Sequence, residues 1–470
     1  MRNHRVVIIG AGISGLVCAY RLTKLGMDPL VLERSQKVGG VIQSESIDGY
    51  LIERGPNSSQ GTVELLQLVE ELGITDQLVE GDPKAPAFVY FRGKLHPVPS
   101  GPGAFLSSKL LTVGGKLRIF KEPFVSARNS DSEESVAAFV RRRIGNQAAD
   151  RLVAPFVAGI YAGDSERLSV QAAFPRLANL EANYGGLFRG MLAKAGEARR
   201  AKKDTASVVT KAAPAPRRLC SFRNGMATLP KTLAQNLGEN LLTGCDGLEV
   251  KRDPSKLGFN LTFKHKGDQH HISCNHLIIA TPATTAALLT ESFSPELSQL
   301  LNAVEYPPLS TVCVAYDASV IDADLRGFGF LVPPSEELEI LGCVWNSSLF
   351  AGRAPKAKVL LTVFVGGARN PGAASAPDAE LASTVHRDLQ RVLGISSDPQ
   401  IIAITRYERS IPQYNIGHFA RVNRIDELVR GLGNVRLVGN YLHGVSTGDC
   451  IKQADHVAKE ISEETVEKSS

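Results

Sequence analysis

Three glycines and an acid carry the first recognisable chemistry in this chain. Gly10-Ala11-Gly12-Ile13-Ser14-Gly15 follows the apolar run Val6-Val7-Ile8-Ile9, and Glu33 closes a second apolar run, Pro29-Leu30-Val31-Leu32. A Gly-x-Gly-x-x-Gly turn between a strand and a helix presents main-chain N–H groups to a phosphate. The first glycine permits the tight turn, the second lets a pyrophosphate approach, and the third lets the helix lie close to the sheet. An acid roughly 20 residues beyond such a turn accepts hydrogen bonds from ribose hydroxyls. Together these residues predict a dinucleotide site. A second glycine turn, Gly39-Gly40 before Val41, follows Glu33-Arg34 closely and suits the long FAD molecule lying across the domain.

The elements needed to position these residues are a buried parallel strand, a helix running to about Gly26, and a second strand ending at Glu33. The sequence has 470 residues, 43% hydrophobic and 21% charged, enough for a large core divided into two or three lobes. A formal charge of +5, with Lys and Arg dispersed outside one segment, argues against a nucleic-acid partner. It suits a polyanionic small substrate or an acidic membrane surface.

The run 6–20 after Arg2 and Arg5 resembles a secretory leader, but cleavage there would destroy the glycine turn, so that reading is rejected. No other run has the length a membrane helix needs, so a membrane contact is expected to be peripheral. The cysteines at 18, 220, 245, 274, 313, 343 and 450 are odd in number and never spaced C-x-x-C. They predict a reducing compartment, with neither a disulfide framework nor a zinc site.

Further along, Gly55-Pro56-Asn57-Ser58 is a turn that redirects the backbone, followed by helical spacing from Thr62 to Leu78. Residues 87–102 read as a hairpin turning on Arg92-Gly93-Lys94; Arg92, Lys94 and His96 face either a carboxylate-bearing ligand or solvent. Residues 104–200 are mainly helical, with Asp131-x-x-Glu134 as a capping box before a helix from Ser135 to Ile144. Small residues crowd beside aromatics from Ala154 to Ser169. They suit either a backbone lying against something flat or tight helix packing. Residues 196–218, basic and rich in Ala and Pro, are expected to form a mobile surface loop open to anionic lipid.

Residues 240–281 read as a strand meander with His265, His270, His271 and His276 on a solvated face. Strands between Tyr306 and about Ile404 predict a sheet with one covered face, where a large apolar substrate has room. Val435 to Ile451 predicts a strand, a glycine-lined turn and a helix start. The free N–H groups there suit the N1–C2 carbonyl region of an anionic reduced flavin.

Several of these segments resemble one family. Glu33-Arg34 with Gly39-Gly40 resembles the flavin amine oxidase superfamily. Pro155 to Ser169 resembles the P-F-x-x-G-x-Y-A-G-D-x-x-x-L-S pattern of the oxygen-dependent protoporphyrinogen and coproporphyrinogen oxidases. Ala173-Phe174-Pro175, Leu180-Glu181, the turn Phe222 to Met226, and Gly444-Val445 with Asp449-Cys450-Ile451 fit the same family. The resemblance implies an α/β (α+β) fold. A Rossmann-like FAD-binding domain would take residues 1–86, 219–290 and 410–470, and a substrate-binding sheet domain residues 87–103 and 291–409. Residues 104–218 would form an inserted helical, membrane-associating lobe.

For FAD the resemblance implies contacts from Gly10, Ala11, Gly12, Ile13, Ser14, Gly15, Glu33, Arg34, Gly39, Gly40, Val41, Gly55, Pro56, Asn57 and Ser58. It adds Cys245 through its backbone to the adenine, and Asn440, Val445, Ser446 and Thr447 at the flavin. For the substrate it implies Asn57, Arg92, Gly159, Leu331, Val344 and Phe364. No side-chain acid, base or metal is expected in the chemistry, which is hydride loss from a porphyrinogen bridge to flavin N5. Oxygen would then reoxidise the flavin and release hydrogen peroxide. Protoporphyrinogen IX is the first substrate expected and coproporphyrinogen III the alternative. A flavin amine oxidase or a non-catalytic FAD-binding protein would be readings of another class. The resemblance also admits a cytoplasmic location against the inner face of the cell membrane, with ferrochelatase and a second copy of the chain as partners.

Overall fold

Two seven-stranded sheets organise the computed structural model, which describes residues 2–128, 132–204, 218–253 and 258–467. In the first, Arg2–Ile9 lies between Pro29–Glu33 and the long strand Asp268–Ile279, parallel to both. Leu241–Thr243 continues the parallel set beyond Pro29–Glu33, and Val435–Leu437 pairs with the C-terminal end of Asp268–Ile279. Asp246–Arg252 and Phe259–His265 complete the sheet antiparallel.

The unbroken apolar runs Val6-Val7-Ile8-Ile9 and Leu277-Ile278-Ile279 belong to strands buried on both faces. On one face pack the helices Ile13–Lys24, Thr228–Leu237 and Thr447–Glu467. The other face is covered by Ala283–Thr290, Pro295–Asn302 and His418–Leu432.

The second sheet runs in the order Gln400–Tyr407, Leu309–Asp317, Lys358–Gly366, Ile340–Val344, Gly329–Leu331, Ala87–Phe91, Lys94–Pro97. Helix Asp378–Leu393 covers one face through Leu381, Val385 and Leu389. The opposite face meets the hairpin Ser44–Ile47/Tyr50–Glu53 at one end, and the helix Ala154–Tyr161 approaches it at the other.

Helices between Pro102 and Asp204 form a third body around Phe139, Val157, Tyr161 and Leu168. Its centre holds the fully buried pair Arg143–Glu122. Glu122 also accepts the Phe188 N–H at 3.1 Å, which ties the start of helix Leu187–Asp204 to the lobe. Breaking one side of such a pair leaves a buried charge uncompensated, so the pair fixes the arrangement more than it adds stability.

Several local expectations change. The helix Val136–Ile144 is capped by Ser135, whose hydroxyl accepts the Ala138 N–H at 3.1 Å. Glu134 pairs instead with Arg142, and Asp131 lies outside the described residues. Residues 196–204 continue a helix rather than forming a loop, because the Ala-, Lys- and Arg-rich composition favours it. The rest of that basic segment, 205–217, lies outside the described residues. Leu241–Thr243 is a parallel crossover strand, not the first strand of a meander. His276 is buried with Nδ1 4.0 Å from Glu464, because it sits on the strand covered by the C-terminal helix. His265 and His270 are half-buried, and His271 is exposed. The helix predicted from Thr62 ends at Glu71, and a short 3₁₀ turn, Thr75–Gln77, follows. Among the described residues no helix is long and apolar enough to cross a membrane.

Candidate functional site

The first glycine turn is built by steric exclusion. Gly10 has φ 104°, and a Cβ there would stand 2.7 Å from the Ala280 carbonyl oxygen. A Cβ on Gly15 would collide with the Gly10 carbonyl, so the helix lies as close to the strand as backbone allows. Gly12 is different: a Cβ there would meet nothing within 4 Å. Its open side faces the cleft. The second turn closes the other wall, with the Gly39 N–H donating to Ala11 O at 2.7 Å and Gly40 packing on the Gly12 Cα.

Helix Ile13–Lys24 begins at Gly12 with no side-chain cap. The first-turn N–H groups of Ile13, Ser14 and Gly15 therefore lie open to an anion, with the positive end of the helix dipole behind them. Glu33 Oε2 accepts the Ala11 N–H at 2.7 Å and Oε1 accepts the Ser35 N–H at 2.7 Å. The carboxylate is held by main chain, and each oxygen keeps a lone pair for a diol. Main-chain floor, uncapped helix and anchored acid fit the pyrophosphate and ribose of a dinucleotide. Arg34 is exposed beside them. The Cys245 N–H is already donated to Glu33 O at 2.9 Å, so only its carbonyl is left to meet an adenine.

The loop Gly55-Pro56-Asn57-Ser58 runs across the exposed Val41, whose carbonyl excludes any Cβ at Gly55. Its root is a buried ionic cluster that sequence reasoning passed over. Glu53 and Arg353 stand 3.7 Å apart and both are buried. Glu53 also accepts from Ser44 Oγ at 2.5 Å and from the Met226 N–H at 3.0 Å, while Arg353 donates to Ser221 Oγ at 2.6 Å. Burial pushes the Glu53 carboxyl up to about 7, against the opposing pull of Ser44, Met226 and Arg353. The one sequence signal was an acid closing an apolar strand, with Arg54 between it and Gly55-Pro56.

The C-terminal segment meets the first two. After the strand Val435–Leu437, Asn440 to Gly444 turn, and Val445 leads into helix Thr447–Glu467. Ser446 and Asp449 cap that helix reciprocally: Ser446 Oγ donates to Asp449 Oδ2 at 2.6 Å and accepts the Asp449 N–H at 3.1 Å. Helix Ile13–Lys24 packs along this last helix and so joins the glycine turn to it. Glycine turn, Gly-Pro loop and C-terminal helix start thus converge on one cleft.

The second sheet supplies the opposite wall. Val89, Leu331, Gly342 and Phe364 lie directly opposite one another across four strands, and Val344 stands one step along on the same face. Gly342 carries no side chain, and Leu331 leans over it, with Cδ2 3.2 Å from where a Cβ on Gly342 would stand. Helix Ala154–Tyr161 meets this face at Gly159, where a Cβ would stand 2.5 Å from Leu331 Cδ2. Phe156 and Ile160, at helical spacing around Gly159, remain 47% and 39% exposed. They leave an apolar surface beside the point where the helix meets Leu331. Their spacing around a glycine was present in the sequence, but only the fold shows which helix face is open.

Asn57 sits at the Val344 end, its Oδ1 accepting from Asn346 Nδ2 at 2.6 Å. Arg92 is at the other end, across the edge strand, so the two are not together. Arg92 (φ 52°) places its guanidinium 5.2 Å from the Phe91 ring, and Arg151 from the helical lobe lies 4.6 Å from the same ring. Phe91 shares the face of Val89, two residues away. Arg151 stands on a π-turn, Ala149–Val153, and donates to Leu110 O at 2.9 Å. Burial first, then the Arg92 charge, lowers the Arg151 pKa. The Asp150 carboxylate acts on Arg151 in the opposite direction. Nothing in the sequence singled out Arg151. Lys94 and His96 lie on the returning strand, with the His96 ring bonded to Phe91 O at 3.1 Å.

Residues 13–462 match the family described as flavin containing amine oxidoreductase. A chloroplastic protoporphyrinogen oxidase of Nicotiana tabacum is 34% identical, over 97% of this chain and 85% of its own length. A coproporphyrinogen III oxidase of Bacillus subtilis is 28% identical, over 95% and 96%. A solved protein from Exiguobacterium sp. 255-15 superposes with a TM-score of 0.79 at 25% identity, covering 98% of this chain and 99% of that one.

Proposed function

The chain belongs to the flavin-containing amine oxidoreductase family, and from that premise we propose that it oxidises a porphyrinogen to a porphyrin in haem biosynthesis, with FAD as cofactor. The observation that carries the reading is the apolar row Val89–Leu331–Gly342–Phe364, beside the exposed Phe156 and Ile160 of the helix that meets it at Gly159. Protoporphyrinogen IX is the substrate assigned, matching the activity in the name of the tobacco relative. The adjacent cations Arg92 and Arg151, both over the Phe91 ring, favour coproporphyrinogen III as the second reading, since its additional carboxylates need cationic partners.

Bound FAD supplies the two-electron acceptor chemistry, and oxygen takes the electrons away as hydrogen peroxide. The chain's own work is binding and orientation. Gly10 to Gly15, Gly39 to Val41 and Glu33 hold the dinucleotide portion; Gly55 to Ser58, Asn440 and Val445 to Thr447 hold the ring system. Leu331, Val344, Phe364 and Gly159 fix the macrocycle plane, and Asn57, Arg92 and Arg151 fix its rotation. Apolar side chains against the macrocycle exclude water from the reacting bridge, and a fixed plane and rotation lower the entropy lost in reaching reactive geometry.

Exposed Leu106, Val113, Leu117, Phe120 and Phe124 stand beside Lys109 and Lys121 on the helical lobe. They support peripheral contact with an anionic membrane surface, which co-sedimentation of wild type and Phe124→Ser with anionic vesicles would test. The functional test is incubation in air with each porphyrinogen, following porphyrin fluorescence and peroxide. Three peroxides are expected per porphyrin formed. Turnover of amines with neither porphyrinogen consumed would refute the reading.

A further inference from the structure

We propose that Tyr414 is a positioning residue for the flavin, its hydroxyl setting the shape of the turn Asn440–Gly444 that leads into Val445, Ser446 and Thr447; the inference rests on the FAD site described above. The hydroxyl donates to Asn440 O at 2.6 Å and accepts the Gly444 N–H at 2.9 Å. Those two atoms are the carbonyl of one residue and the amide four residues on. In a closed α-turn they would bond to each other. The hydroxyl stands between them and props the turn open by one oxygen. Gly444 accepts the resulting φ of 135°, where any other residue would be strained.

The hydroxyl can set that shape because its ring cannot move. Tyr414 is 1% exposed and stacks on His418 with ring centres 4.3 Å apart and planes 11° from parallel. Tyr161 closes a second side at 5.9 Å. Behind the ring, Tyr414 O accepts the Ser169 N–H at 2.8 Å, fixing the backbone to the helical lobe. Burial pushes the phenol pKa well above its usual value, so the proton given to Asn440 stays in place. Burial, then the Arg421 charge, lowers His418 to about 4, so the stacked imidazole brings no charge near the turn at neutral pH.

The geometry separates this role from simple core packing. The ring fills space; the hydroxyl makes both hydrogen bonds to the turn. Tyr161, on the other side of the cluster, donates its hydroxyl to Ala173 O at 3.1 Å and accepts from Gln413 Nε2 at its carbonyl, away from the turn. The flavin's surroundings should therefore respond to the Tyr414 hydroxyl and not to that of Tyr161.

The test compares Tyr414→Phe and Tyr161→Phe as purified holoproteins. It reads FAD dissociation by flavin fluorescence, the flavin visible spectrum and its midpoint potential. Losing two hydrogen bonds to the turn should weaken FAD binding roughly 5- to 150-fold and shift the spectrum and potential in Tyr414→Phe. Tyr161→Phe should lower the melting temperature while leaving all three readings at wild-type values. Wild-type affinity, spectrum and potential in Tyr414→Phe, with only its melting temperature lowered, would overturn the proposal. If that variant fails to fold, a fluorinated tyrosine at position 414 keeps ring and hydroxyl but weakens acceptance from Gly444. An unmoved flavin spectrum and potential there would overturn the proposal equally. A wild-type protein that takes up no FAD would instead defeat the cofactor reading, a separate outcome visible before any variant is made.

Discussion

The two seven-stranded sheets face the same cleft with different parts of the chain. The sheet containing Arg2–Ile9 presents main chain: glycines, uncapped helix N–H groups and an acid pinned by amides. The sheet containing Leu309–Asp317 presents side chains, in a row running from Val89 to Phe364. Main-chain recognition is unforgiving, because adding one carbon displaces the ligand or the fold. Side-chain recognition is graded and can be tuned one contact at a time. That division suits an enzyme whose cofactor is fixed and whose substrate is open to selection.

The strongest way to sharpen the contrast is within the glycine turn itself. Gly15→Val should collide with the Gly10 carbonyl and yield unfolded or insoluble protein. Gly12→Ala has nothing within 4 Å, so it should fold with a near-normal melting temperature yet purify without flavin absorbance. If Gly12→Ala keeps its flavin, the open side of Gly12 is not where the pyrophosphate lies, and the contrast breaks.

Effects on the side-chain wall should be smaller. Phe364→Ala should keep bound flavin and raise KM roughly 5- to 30-fold, the cost of about 1–2 kcal/mol of apolar contact. Arg151→Ala should raise KM for coproporphyrinogen III about tenfold, and more than for protoporphyrinogen IX, if the rim arginines hold the additional carboxylates. Equal effects on both substrates would move Arg151 to a carboxylate they share. Loss of flavin in either variant would erase the distinction between the two walls.

The smallest effects concern pH and come from the roots of the two flavin-side loops, with opposite signs. Glu53 is raised from 4.5 to about 7. Between those values the folded chain holds a proton that the unfolded chain has released, so stability falls as pH rises through the window. His418 is lowered from 6.5 to about 4. There the unfolded chain holds the extra proton, so stability rises with pH between about 4 and 6.5. Melting temperatures of Glu53→Gln should lose the decline above about pH 4.5 and show the His418 rise alone, a change on the order of a few degrees. An unaltered pH profile would mean that Glu53 is ionised throughout.

Legibility followed the same division. The glycine turn, Glu33 and Gly39-Gly40 could be read because main-chain contacts restrict residue type locally, and glycine leaves its mark in the sequence. The C-terminal turn could be read for the same reason. Sheet order could not: the parallel crossover at Leu241–Thr243 looks like the start of a meander, since periodicity does not encode strand direction. Arg151, Phe156 and Ile160 were missed because their orientation depends on how the helical lobe docks. Tyr414 was missed because its partners are main-chain atoms 26 and 30 residues away, which leave no trace in residue type. His276 was misplaced because a polar strand residue looks solvated until the C-terminal helix covers it.

The most direct test of the central claim is anaerobic mixing of the flavin-loaded protein with each porphyrinogen, watching the oxidised flavin absorbance. The account predicts rapid bleaching by protoporphyrinogen IX or coproporphyrinogen III and recovery when air is admitted, with Phe364→Ala bleaching more slowly at low substrate. Oxidised flavin that stays unchanged with both porphyrinogens would contradict the account, however tightly FAD is bound.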